Sequence, residues 1–172
     1  PTRRSSDLLL THKMKGVQFV TKSEFVSRCK NRLLAGEFEP TVMATNGTTE
    51  VLRTLKMPED TPTRRRRYVS AGEAIVDCFG RKVPTLVVSV FEARVSKRCD
   101  CRPCDDPNNV SVLIFSILEF TGKEMHFSAD VYEVVPGPDL VFRGSARGSE
   151  FKDLNMKALC EGMIQRLRAV AQ

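Results

Sequence analysis

The sequence predicts an α+β fold: a twisted antiparallel sheet with an N-terminal and a C-terminal helix packed on one face. Three observations carry this. Each end of the chain holds an apolar stripe at helical spacing, Phe25–Cys29–Leu33 near the start and Leu159–Met163–Leu167 near the end. The stretch between them reads as short β-rich runs separated by turn signals. No internal repeat interrupts the order of helix, strands and helix.

The first helix is expected from Lys22 to Ala35. Thr21 and Glu24 form a T-x-x-E capping box, and Val20 with Phe25 is spaced as a hydrophobic staple. Val26 and Leu34 widen the stripe, Gly36 supplies the stop and Pro40 bars continuation. Two short strands follow, Thr41 to Thr45 and Glu50 to Leu55, with the turn "NGTT" between them. The stretch "KMPEDTPTRRRRYVS" is rich in proline and charge, which predicts an exposed loop. A short helix from Ser70 ends at Gly80.

Four strands are expected next: Leu86 to Val95, Val110 to Phe120, Met125 to Val135 and Leu140 to Phe142. In the third of these, Met125, Phe127, Ala129 and Val131 face one way, and His126, Ser128, Asp130 and Tyr132 the other. Val110 to Phe120 is apolar on both faces, which predicts a strand that is central or covered on both sides. The last helix runs from Glu150 to Val170 with Ser149 as its N-cap.

Composition narrows the function classes. A hydrophobic content of 41% and a charged content of 28% are those of a globular domain. No run of about 18 apolar residues is present to span a bilayer. The net charge of +6 favours acidic partners, whether nucleic acid, anionic lipid or an acidic segment. Six cysteines lie at irregular spacings, unlike a secreted disulfide framework. A reducing compartment, cytoplasmic or nuclear, is the expectation.

The opening octapeptide, Pro1 to Leu8, is expected to lie outside the fold. "PTRRSSDL" matches the conceptual translation of a common sequencing-adapter oligonucleotide, CCT ACA CGA CGC TCT TCC GAT CTN, codon for codon. Residues 1–8 are therefore read as a scar, with the natural N-terminus upstream.

Three stretches carry candidate chemistry. Cys99, Cys101 and Cys104 put three thiols within "CDCRPC", enough to hold zinc if Cys78 or an aspartate completes the set. They lack the paired C-x-x-C spacing, and a reduced loop tip is the plainer reading. His126, Ser128 and Asp130 have the residue types of a hydrolytic relay, but side chains alternating along one strand face stand roughly 7 Å apart, too far for direct proton transfer. Arg64, Arg65, Arg66 and Arg67 form a basic run suited to phosphates or lipid headgroups. Arg67 stands three residues before Ser70, as a basic-directed kinase prefers, and Thr61 precedes Pro62, as a proline-directed kinase prefers. No phosphate-cradling Gly-rich loop, metal-binding histidine pair or nucleophile elbow occurs. The chain reads as a binding or regulatory module without a catalytic site of its own.

Two segments together resemble a known family. "VQFVTKSEFVSRCKNRLLAGEFEPTVM", Val17 to Met43, is similar to the opening helix and first strand of the C-terminal kinase-associated domain of Ser/Thr protein kinases. Met125 to Val170 resembles its end, through Glu133, Val134, Pro136, Leu140, Val141, Gly148, Phe151, Leu159 and Leu167. The matching positions are core and turn positions and cover under half of the chain.

Relatives would be the checkpoint, calcineurin-B-like-interacting and AMP-activated kinases. The resemblance implies one regulatory domain over 17–172, with insertions at about 56–84 and 96–109. It implies autoinhibition by docking on the chain's own kinase domain, on a regulatory protein or phosphatase, or on anionic phospholipid. The expected docking residues are Arg64 to Arg67 with Lys152, Arg166 and Arg168. No cofactor is expected in this segment beyond the candidate zinc, and ATP and magnesium would belong to the kinase domain. Two alternatives stand beside this reading, a small zinc-binding interaction module built on Cys99, Cys101 and Cys104 and a nucleic-acid-binding α+β domain. The latter would need stacking aromatics on the sheet, and aromatics make up only 7% of the chain, with no Trp.

Overall fold

A computed structural model describes residues 31–32, 35, 38–56, 61–96, 106–122, 124–135, 140–147 and 153–169. The described residues form an open six-stranded antiparallel sheet and two helices, the α+β class expected. The order is β1 (Thr41–Thr45), β2 (Glu50–Thr54), α1 (Thr61–Cys78), β3 (Leu86–Val95), β4 (Val110–Thr121), β5 (Glu124–Val134), β6 (Leu140–Arg147) and α2 (Leu154–Arg168). The strands lie in the order β2-β1-β3-β4-β5-β6. No described helix is long and apolar enough to cross a membrane.

Local chemistry explains the turns. Asn46 bends the chain between β1 and β2 by accepting the Thr48 and Thr49 amides on Oδ1, at 3.0 and 2.8 Å. Gly80 takes φ +61°, a left-handed conformation that ends α1, and the following Arg81 amide returns to the Val76 carbonyl at 2.8 Å.

The sheet is buried on both faces, which is unusual for an antiparallel sheet. On one face Val42, Ala44, Val87 and Leu118 pack under both helices, with Tyr68, Ile75, Leu159 and Met163 lowered onto them. On the other, Met43, Val88, Val90, Leu113, Phe115 and Ile117 form a second cluster, none more than 2% exposed. Val110–Thr121 supplies both clusters and sits centrally, as its two apolar faces require.

Two expectations change. The loop expected over Lys56 to Ser70 is mostly helix: α1 begins at Thr61 and runs through the arginines without a break. Pro62 fits a first turn, where its missing N–H leaves no bond unmade, and arginine is a good helix former. The second change concerns α2, which starts at Leu154 rather than Glu150. Asp153, not Ser149, is its N-cap and accepts the Asn155 and Met156 amides at 2.8 and 3.1 Å.

Most of the helix expected over Lys22 to Ala35 lies outside the described residues. Asn31 and Arg32 are helical, and Ala35 donates its amide to the Asn31 carbonyl at 3.1 Å. Arg32 reaches Thr54 Oγ1 at 3.4 Å. Thr54 is in register with Thr41 and Val90, so this contact lies on the face opposite α1 and α2. The helix that pairs with α2 is therefore α1.

Candidate functional site: the arginine half of helix α1

Helix α1 has two parts. From Tyr68 onward, Tyr68, Ala71, Gly72, Ile75 and Val76 are buried at helical spacing. Before Tyr68 no side chain is buried, and Arg64, Arg65, Arg66 and Arg67 are all exposed. The first turn holds no acidic residue. Four cations thus crowd the end of a helix whose dipole already carries partial positive charge.

Backbone contact with α2 fixes the second half. A Cβ on Gly72 would stand 2.1 Å from the Leu159 carbonyl oxygen, and one on Gly162 would stand 1.9 Å from the Val69 carbonyl oxygen. Each helix thus presses a glycine against the other's main chain. Two exposed ion pairs flank the crossing, Arg65 to Glu161 at 2.5 Å and Arg166 to Asp77 at 2.7 Å. The hydrogen bond that Arg166 donates to Asp77 holds the guanidinium's pKa above its ordinary value.

Beneath the crossing lies a polar cluster. Asp153 caps α2 through Oδ1 and accepts the buried Ser116 hydroxyl through Oδ2, joining the helix start to the middle of β4. Burial, reinforced by nearby Asp153, pushes the Tyr68 phenol up to about 12. The Ser89 hydroxyl opposes that shift by its proximity. It falls short of hydrogen-bond geometry, for Ser89 Oγ is the buried side-chain oxygen left without a partner among the described residues. Burial also pushes the Cys160 thiol up to about 11, and raises Cys78.

The structure distributes the expected docking residues unevenly. Arg64 to Arg67 stand together on α1. Arg166 is bound to Asp77, twelve positions along α1 from Arg65, or roughly 18 Å at the rise of an α-helix. Arg168 is exposed at the end of α2. Lys152 lies outside the described residues. Thr61 opens α1 and Ser70 sits within it, both exposed.

Cys99, Cys101 and Cys104 lie outside the described residues. Cys78, their proposed companion, is half-buried at the end of α1. Among the described residues no three metal-ligating side chains converge.

His126, Ser128 and Asp130 do not assemble into a relay. His126 is exposed beside Glu124, 3.3 Å away, whereas Asp130 is 6% exposed and accepts the Ser145 hydroxyl at 2.6 Å. The strand face that carries these residues is therefore exposed at His126 and closed at Asp130.

Sequence reasoning missed Tyr68, Gly72, Asp153 and Gly162. The spacing of Tyr68, Ala71, Ile75 and Phe79 was the signal for α1. A lone glycine in each helix was the only mark of the crossing.

Comparison of the chain with family models, with curated proteins and with solved structures finds no match.

Proposed function

We propose that this is a non-catalytic regulatory domain that docks on an anionic, phosphate-bearing surface through the arginine half of α1. One observation carries the reading: four consecutive exposed arginines on a stretch of helix that buries nothing and has no acidic residue in its first turn. A cation in the first turn of a helix, where Arg64 stands, costs about 0.3–1 kcal/mol at low ionic strength. A bound anion relieves that cost, so docking and stability rise together. Guanidinium groups also match phosphate oxygens in geometry.

The parent chain in this reading is a Ser/Thr protein kinase, with this domain at its C-terminal end. The resemblance at Val17 to Met43 and Met125 to Val170 supports it. Autoinhibition then follows by competition: the arginines dock on the kinase domain or on anionic lipid, and each partner weakens binding of the other.

Flotation with phosphatidylserine vesicles tests the docking step. Near an anionic surface each arginine contributes about 1 kcal/mol. The Arg64→Ala/Arg66→Ala double variant should therefore bind roughly 30-fold more weakly. Equal binding by variant and parent would sink the lipid partner. Single-stranded RNA that displaces the protein from vesicles would favour the nucleic-acid alternative instead. Extending the transcript at its 5′ end tests the parent: a Gly-rich loop, an H-R-D loop and a D-F-G triplet in frame would support the kinase.

A further inference from the structure

We infer that Thr61 is a phosphorylation site, and that its phosphate occupies the arginines by which α1 docks; the second half of this inference rests on the docking reading above. The argument begins with two hydroxyls of similar sequence appeal and unequal structural access. Protein kinases take their targets in extended form, so the cost of presentation is the structure that must be undone. Ser70 lies past Tyr68, which is 1% exposed, and next to Val69, whose main chain bears on Gly162. Extending the chain around Ser70 means withdrawing Tyr68 from the core and parting the helix crossing.

Thr61 asks for much less. It is the first residue of α1, it is exposed, and no side chain between it and Arg67 is buried. The ring of Pro62 disfavours helical geometry at the residue before it. Thr61 is thus inclined toward the extended conformation a kinase requires. Uncoiling the first turn leaves the helix crossing in place. Thr61-Pro62 is also the dipeptide that proline-directed kinases select.

The chemistry balances with one co-reactant. Thr61 Oγ1 attacks the γ-phosphorus of a nucleoside triphosphate held by the kinase. The new O–P bond forms as the β–γ phosphoanhydride bond breaks. Nucleoside diphosphate leaves, and the hydroxyl proton passes to the kinase's catalytic base. The product carries about −1.5 to −2 charge at pH 7. When α1 re-forms, residues three and four positions on lie over the same face, and here they are Arg64 and Arg65. Arg65 is drawn partly from Glu161, to which it is held by an exposed ion pair. With two of the four arginines answered internally, the surface offered to an external anion is roughly halved.

The test uses the full chain, a proline-directed kinase and ATP. Mass spectrometry should place one phosphate on Thr61, lost in Thr61→Ala and kept in Ser70→Ala. The modified protein should melt about 1–3 °C higher, the shift that a weak ion pair gives a domain of this size, and Arg64→Ala should abolish the rise. Partition onto phosphatidylserine vesicles should fall at least about tenfold. Phosphate on Ser70 rather than Thr61, or a Thr61 phosphate that moves neither melting nor partition, overturns the inference. If the unmodified protein does not bind vesicles, the docking reading fails by itself. Incorporation at Thr61 and the Arg64-dependent melting shift then still decide whether the phosphate engages these arginines.

Discussion

From Thr61 to Arg67 helix α1 buries no residue, and from Tyr68 to Cys78 it buries five, yet the two stretches are one unbroken helix. The second stretch is specified by contact, with its apolar stripe on the sheet and Gly72 on the main chain of α2. The first buries no side chain and meets α2 through the exposed Arg65–Glu161 ion pair. It is helical because arginine favours helix, because Pro62 suits a first turn, and because the anchored half nucleates it. A helix can therefore extend a charged arm beyond the core when the core holds its root. Such an arm can serve a partner without drawing buried side chains out of the core.

Substitution should break the two halves very differently. The largest effect is expected at the root. Tyr68→Ala removes the first buried side chain of α1 and should destabilise by about 3–5 kcal/mol, read as a fall in the denaturant midpoint. Gly162→Ala comes next. Its Cβ would meet the Val69 carbonyl oxygen at 1.9 Å, so the helices must move apart, at about 1–3 kcal/mol or more. An unchanged midpoint in Gly162→Ala would mean that the crossing is looser than described.

Asp153→Ala should cost about 1–2 kcal/mol as a lost N-cap, with a further loss from the orphaned Ser116 hydroxyl. Asp153→Asn keeps a capping oxygen and should recover part of it.

Alkali should act on two groups at the packed helices, Cys160 on α2 and Tyr68 on α1. The Cys160 thiol titrates near 11 in the folded chain against an ordinary 9.0, and the Tyr68 phenol near 12 against 10.0. Below pH 9 both groups are neutral, folded or unfolded, and their contribution is fully present. As the pH rises further the unfolded chain ionises first, so stability is lost progressively toward about 11 and then about 12. Cys160→Ala should remove the earlier part of that loss in melting curves taken across this range. A curve identical to that of the parent would rule out Cys160 as its source.

The smallest change is expected in the arm. Arg64→Glu with Arg66→Glu should leave stability within about 1 kcal/mol of the parent, and on the higher side, because acid suits a helix N-terminus. A large loss on this substitution would show that the arm holds up the fold, and the contrast between the halves would disappear.

The same contrast explains what the sequence disclosed. The strands were legible because each signal was local: alternation in β5, a doubly apolar β4, and turns at Asn46 and Gly122. The anchored half of α1 was legible in part, from Ser70 to Gly80, because its apolar spacing is helical. The arm was not. Its prolines and charges are as common in loops, and only continuity with Tyr68 makes it a helix. The glycine crossing was hidden for another reason: it sets Gly72 against the Leu159 main chain and Gly162 against that of Val69, and no local pattern records such distant meetings. At the start of α2 local spacing pointed to Ser149, whereas the cap is Asp153, which also accepts the Ser116 hydroxyl from the distant strand β4.

The edge of the sheet holds a further consequence. Between Val131 and Tyr132 the register slips: Gly144 faces the first and Phe142 the second, leaving Arg143 as an extra residue in β6. Arg143 is held by Glu133, and Phe142 beside it is 54% exposed. A straight, apolar outer strand would invite a neighbouring molecule to add its own strand, and then another. The bulge breaks the row of outward amides and carbonyls into two short lengths with a fixed cation between them. β6 thus offers an incoming strand a poor template at this edge of the sheet. Deleting Arg143 alone would straighten the edge and remove that protection.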